Sequence, residues 1–134
     1  MARVLWSLEK GQPVVHLYLV EPGTGILLPR VLLADTGAGN ARAMTELVLS
    51  QNDGARFGGR LMGDIRAGGA VQGVFPIRRV LIEIPALGVS RSAPAMIVPF
   101  AQLPQGLDGI VTYRFLNAFT SGNFGDQTQF GLEI

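Results

Sequence analysis

The feature that most constrains this chain is the run Val31-Leu32-Leu33-Ala34, stopped abruptly by Asp35-Thr36-Gly37-Ala38. Leu32 and Leu33 predict a buried strand, and the break in hydropathy places Asp35 at its end, partly desolvated. A carboxylate in such a position has its proton affinity readily shifted, as acid–base chemistry requires. A chain of 134 residues has room for one hydrophobic core, and so for one such loop, within a single domain spanning residues 1–134.

The flanking sequence is cut into short pieces. Hydrophobic residues make up 48% of the chain and charged residues 16%, too apolar for a disordered polymer. The 18 Gly and 8 Pro point to many turns between short strands, so an all-β fold is expected. Val14 to Glu21 places Val15, Leu17 and Leu19 on one face and His16 and Tyr18 on the other. Pro22-Gly23-Thr24-Gly25 then turns the chain into Ile26–Ala34, a hairpin leading directly to Asp35, with Pro29 requiring a bulge or an open edge. Asn40 to Ser50 fits both a helical stripe (Ala41, Met44, Leu47, Val48) and a strand (Leu47-Val48-Leu49). Between Gly58 and Ile84 two or three strands are expected, with Gly68-Gly69 as a hairpin tip and Ile77–Ile84 as a strand. Pro85-Ala86-Leu87-Gly88 turns the chain, Ala93–Pro99 forms another strand, and Pro104-Gln105-Gly106 closes the next loop.

Several chemistries find no support. Without cysteine there are no disulfides, thiolate nucleophiles or sulfur metal sites, and with one histidine a zinc site would need converging carboxylates whose spacing is absent. His16 belongs to the polar face of a strand, where an exposed or hydrogen-bonded imidazole is expected. Gly37-Ala38-Gly39 begins like a dinucleotide-binding turn, but its third glycine position is Arg42. Neither a P-loop nor a nucleophile elbow is present. A net charge of +1 gives no nucleic-acid footprint. Positive residues gather between Arg56 and Arg91, either as a solvated face or as a rim attracting acidic peptide segments. No signal-type or membrane-spanning run is expected, so no membrane contact is anticipated and cytoplasm is the default compartment.

A second pattern follows late in the chain. Leu107-Asp108-Gly109-Ile110-Val111 leads into Thr112-Tyr113-Arg114-Phe115-Leu116-Asn117-Ala118-Phe119, where Thr112 is positioned to cap a helix that buries Phe115, Leu116 and Phe119. The stretch from Asn123 to Ile134 alternates around a turn. An acid loop, a glycine-bearing hairpin midway, then Asp-Gly-apolar-apolar and a helix resemble, in this order, the single-domain retropepsin-like aspartic proteases. The resemblance covers nearly the whole chain. It implies a closed β-barrel of the acid-protease type with one short C-terminal helix. It departs from the family pattern at Thr112, where glycine is usual, and at Arg114, where an acid is common.

What the resemblance implies chemically agrees with what hydrolysis demands. Cleaving a peptide bond without a metal or a nucleophile needs one group to activate water and another to protonate the departing amine, and two carboxylates sharing a proton do both. This chain has one such loop, so the expected unit is a homodimer, paired through termini or loops, whose twofold axis passes between two copies of Asp35. In that reading Asp35 is the catalytic residue, Thr36 orients the loop through hydroxyl bonds across the interface, Gly37 permits the tight turn and close approach of substrate, and Ala38 leaves space beside the acid. Gly68 and Gly69 are the flap candidates, closing over an extended peptide or protein substrate. No cofactor and no metal are implied. The alternative reading is a catalytically weak or inactive retropepsin-like module for dimerisation or peptide binding, suggested by Thr112.

Overall fold

In the computed structural model, residues 2–40, 42–69 and 71–134 are described. The chain opens with strands β1 (Arg3–Ser7), β2 (Val14–Val20), β3 (Leu27–Ala34) and β4 (Leu47–Ser50), then a helix α1 (Gln51–Phe57). Three long strands follow, β5 (Gly58–Ala67), β6 (Gly73–Ile84) and β7 (Val89–Val98). The chain ends with β8 (Gly109–Val111), the short helix α2 (Tyr113–Leu116), β9 (Thr120–Gly122) and β10 (Gln129–Glu133). The sheet order β2-β3-β8-β4-β7-β6 closes when β6 returns to β2 through Tyr18↔Glu83, Leu19↔Ile82 and Val20↔Leu81, giving a six-stranded β-barrel. β5 hangs outside this ring on β6, and β1, β10 and β9 form a separate antiparallel sheet.

The strand pattern follows from which faces are buried. Along β2, Val15, Leu17 and Leu19 enter the barrel core while Tyr18 stays exposed, the period-2 alternation of a half-buried strand. Leu47-Val48-Leu49 reads as a continuous apolar run because β4 is apolar on both sides. Leu47 and Leu49 belong to the barrel core, whereas Val48 joins a second cluster with Met96, Val98, Ile110 and Phe75. That double burial resolves the ambiguity of Asn40–Ser50 in favour of a strand, preceded by a loop in which Met44 is exposed. Ala41 of the helical stripe lies outside the described residues. Gly109 is required by the pairing of β8 with β4: a Cβ there would collide with the Val48 carbonyl.

Pro29 lies ahead of the segment Leu32–Ala34 that β8 pairs, and its carbonyl accepts a hydrogen bond from its neighbour Arg30 Nη1 at 2.9 Å. Its missing N–H therefore falls on the open edge of β3 and interrupts no ladder. The hairpin between β5 and β6 pairs Ala67 with Gly73 and places Gly68 and Gly69 in its tip, as the sequence pattern requires.

Two expectations need correction. A single helix near the C-terminus is expected, yet α1 precedes it and is longer. It is capped by Ser50 Oγ, which accepts the Asp53 N–H at 3.1 Å, and anchored by Phe57 in the core. Gly54 lets α1 approach β7, since a Cβ there would sit 2.6 Å from Ile97 Cγ2. The second correction concerns Thr112, which occupies the N-cap position of α2 but makes no side-chain cap. Its Oγ1 instead donates to the Thr45 carbonyl at 2.9 Å, with both residues buried. The expected face of α2 does form: Phe115 and Leu116 are buried, and Phe119 packs on Phe115 with ring centroids 5.4 Å apart.

Candidate functional site

Asp35 leaves the barrel at the C-terminal end of β3, where β3 runs parallel to β8. Its N–H donates to the Val111 carbonyl at 3.1 Å, so the ladder is carried one residue past the strand. The loop then folds back on itself. The Gly37 N–H donates to Asp35 Oδ1 at 2.9 Å, the Ala38 N–H to the Asp35 carbonyl at 3.1 Å, and the Tyr113 N–H to the Ala38 carbonyl at 2.9 Å. The acid loop is thereby strapped between β8 and the start of α2, its backbone fixed at both ends. A Cβ at Gly37 would lie 3.3 Å from Asp35 Oδ1, so any larger residue would make the carboxylate give by a few tenths of an ångström. The left-handed backbone of this turn falls two residues later, at Gly39 with φ 72°.

The half-buried Asp35 carboxylate accepts one backbone N–H and, among the described residues, enters no ion pair. Thr36 is exposed, and its hydroxyl makes no hydrogen bond within the described part of the chain. Ala38 packs against the second apolar cluster. In front of these residues lies a cleft of about 440 Å³, with Asp35, Gly37 and Ala38 on one wall and Gly68 and Gly69 of the hairpin tip on the other. Its floor is Val48, Met96 and Ile110. The candidate acid and the candidate flap, 33 residues apart in sequence (68 − 35), thus border one cavity.

Sequence reasoning missed how the hairpin tip is held. The Gln72 N–H donates to Gln102 Oε1 at 3.0 Å, and Gln72 Nε2 donates to the Gly69 carbonyl at 3.0 Å, tying the tip to the turn at Phe100–Gln102. It also missed the cleft floor, since Val48, Met96 and Ile110 come from three different strands. Their only sequence signal is apolar residues on both faces of their strands. β7 begins at Val89, before the expected start at Ala93, because Val89–Ser92, alternately half-buried and exposed, continue the antiparallel pairing with Leu81–Ile84 of β6.

Another depression, of about 310 Å³, lies between β1, β2 and β3 and contains Trp6, His16, Tyr18 and Arg30. His16 stacks on Trp6, with centroids 5.6 Å apart and planes 8° from parallel, which accounts for a histidine on the outer face of β2. Arg30 is committed to a bidentate pair with Asp53, both contacts at 2.9 Å, and these bonds push its pKa up. Among the described residues its walls carry no carboxylate, so the paired-acid chemistry open to the cleft at Asp35 has no counterpart here. Among the described residues no three His, Asp or Glu side chains converge as a metal ion would require, and no helix is long and apolar enough to cross a membrane.

Comparison with known protein families, with curated proteins and with solved structures returns no match. The reading of the site therefore rests on its residues and their geometry.

Proposed function

We propose that the chain is an aspartic endopeptidase of retropepsin type, hydrolysing peptide bonds with a pair of Asp35 carboxylates contributed by two copies. The observation that carries this reading is a half-buried carboxylate with spare acceptor capacity at the foot of an apolar cleft roofed by a glycine hairpin. One carboxylate takes a proton from water as the water oxygen bonds to the peptide carbonyl carbon. The other, in its protonated form, gives a proton to the amide nitrogen as the C–N bond breaks. A single Asp35 cannot hold both roles at once, and no second acid lines the cleft, so the second copy completes the site. Thr36, exposed and with its hydroxyl unbonded among the described residues, is the residue placed to bond across that interface. The apolar floor excludes water and receives substrate side chains, while an extended peptide gains main-chain bonds from the hairpin.

Thr112 does not argue against activity. Its side chain is turned to Thr45 and holds the loop before β4 to the start of α2, so it does not crowd the acid loop. The test is incubation with a diverse peptide library from mildly acidic to neutral pH, alongside Asp35→Asn and sedimentation of both proteins. Cleavage by the parent chain that disappears in the variant, with a dimer in solution, is the expected result. Peptide binding without cleavage would replace this reading with the non-catalytic module, and a monomer that still cleaves would overturn the shared site.

A further inference from the structure

We infer that the outer edge of β5 docks an extended acidic peptide segment of a partner protein, which joins the sheet as an added strand. Most of this surface lies outside the cleft, which reaches only Ile65, Arg66 and Ala67 of the strand, and the inference does not depend on catalysis. β5 ends the sheet order: its inner edge pairs with β6, and among the described residues no strand pairs with its outer edge. Natural edge strands are commonly blunted by bulges or charge. Here the register shifts lie only between Gly58 and Gly63, leaving Gly63–Ala67 in regular pairing with Gly73–Ile77 and free to accept a strand on the other side. At the bulged end a depression of about 230 Å³ is bordered by Arg60, Leu61, Met62 and Arg79. Leu61 and Met62 are 54% and 41% exposed, so two apolar side chains lie in the open between two guanidinium groups.

Charge selects the occupant. The β5–β6 hairpin carries Arg60, Arg66, Arg78 and Arg79 against Asp64 and Glu83. None of these four arginines is in an ion pair among the described residues. Arg3, Arg30, Arg56 and Arg91 elsewhere are each paired. The basic gathering between Arg56 and Arg91 thus divides: its two ends are neutralised by Glu21 and Glu46, and its middle is left open. Two copies of β5 laid edge to edge would bring like charges together, which disfavours a second copy as the partner. Single-stranded nucleic acid would need an aromatic platform, yet the only aromatic residue of the hairpin, Phe75, is buried. A strand alternating acidic and apolar residues satisfies the open main-chain groups, the arginines and the Leu61–Met62 surface together.

The experiment is fluorescence polarisation with a short labelled peptide alternating glutamate and valine, using the parent chain and, to keep the probe intact, Asp35→Asn. Binding is expected to weaken about tenfold or more when Arg60→Glu and Arg79→Glu are combined, since truncating charge complementarity costs on that scale. N-methylation of alternate peptide amides should weaken it by about tenfold, the equivalent of one or two main-chain hydrogen bonds. Hydrogen exchange should show new protection at β5 amides in the parent chain, a readout that needs no variant to fold. Equal binding of a glutamine-for-glutamate peptide, indifference to N-methylation, displacement by oligothymidylate, absence of binding, or protection of β5 by self-association would each overturn the proposal.

Discussion

The middle and the C-terminal end of β3 hold acids in opposite circumstances. Near its middle, Asp53 grips Arg30 with both oxygens, and Asp108 locks Val31, its Oδ2 accepting the Val31 N–H and its own N–H donating to the Val31 carbonyl, each at 2.8 Å. At its C-terminal end Asp35 accepts, among the described residues, only the Gly37 N–H at its carboxylate and faces a cleft. All three residues are acids beside the same strand, so residue type does not separate structure from chemistry. What separates them is how much hydrogen-bonding capacity the fold has already used. A carboxylate fully engaged by protein donors stabilises the fold and has little left for a substrate. One that is held in place yet incompletely engaged can take a proton from water.

The sharpest way to break this comparison is to neutralise each acid and ask which property fails. Asp35→Asn should lower cleavage by about 10³-fold or more, a barrier increase of about 4 kcal/mol, because general acid–base catalysis is lost. Its thermal stability should change little, since an Asn Oδ1 can still accept the Gly37 N–H. Asp53→Ala should do the reverse. It leaves the Arg30 guanidinium partly buried without its partner, at a cost of about 2–3 kcal/mol, discounted from the range for fully buried pairs because the Arg30 side chain is 22% exposed. Chemical denaturation would measure this, and cleavage at a temperature where the variant is folded should persist. If Asp35→Asn proved the more destabilising of the two, the distinction drawn here would collapse.

Thr112→Val probes the same idea with a hydroxyl. Removing its donor leaves the buried Thr45 carbonyl unsatisfied and should cost about 1–2 kcal/mol by denaturant titration. The rate of cleavage should change by less than about threefold, because a valine methyl fits the space and none of the acid loop's hydrogen bonds uses the Thr112 side chain. A large loss of rate with little loss of stability would mean that Thr112 touches the chemistry directly.

How much of this is legible in the sequence depends on the range of the interactions involved. The hairpin from β2 to β3 and the emergence of Asp35 at a strand end are carried by neighbours: alternation at Val15, Leu17 and Leu19, turn residues at Pro22–Gly25, and an apolar run cut by an acid. The second motif is similarly local, because Gly109 and the apolar pair after it must lie against β3 and β4. α1 is not legible in this way. Gln51–Phe57 contains Gly54 and a single large apolar residue, a poor helix by propensity, and the helix forms because Ser50 caps it, Phe57 is buried and Arg30 holds Asp53. Thr112 reads as an N-cap for the same reason that it is not one: its type is right, but its hydroxyl is taken by a carbonyl 67 residues away. The cleft floor is drawn from three strands, so the acid is visible in the sequence while the space in front of it is not.

The smallest expected effect concerns an acid at the far turn of the same hairpin. Glu21 is half-buried at the surface, where Arg56 Nε and Thr24 Oγ1 each donate to it at 2.7 Å, and these bonds, Arg56 first, hold its pKa below the usual glutamate value. Because the folded-state pKa is depressed, the stabilisation it contributes is present above the ordinary glutamate range. It is lost as pH falls through the lowered value. Arg56→Gln should therefore move the Glu21 midpoint upward, towards that of an unpaired glutamate, when followed by NMR titration. The variant should lose a little stability at neutral pH and none at a pH where Glu21 is already protonated. Solvent screening keeps the effect small. Glu21 thus stands between the two kinds of acid on β3, engaged like Asp53 but open to water like Asp35. Should its midpoint stay put in the variant, hydrogen bonds to a carboxylate at the surface would be too weak a criterion, and only deep burial together with bonding would mark an acid as structural.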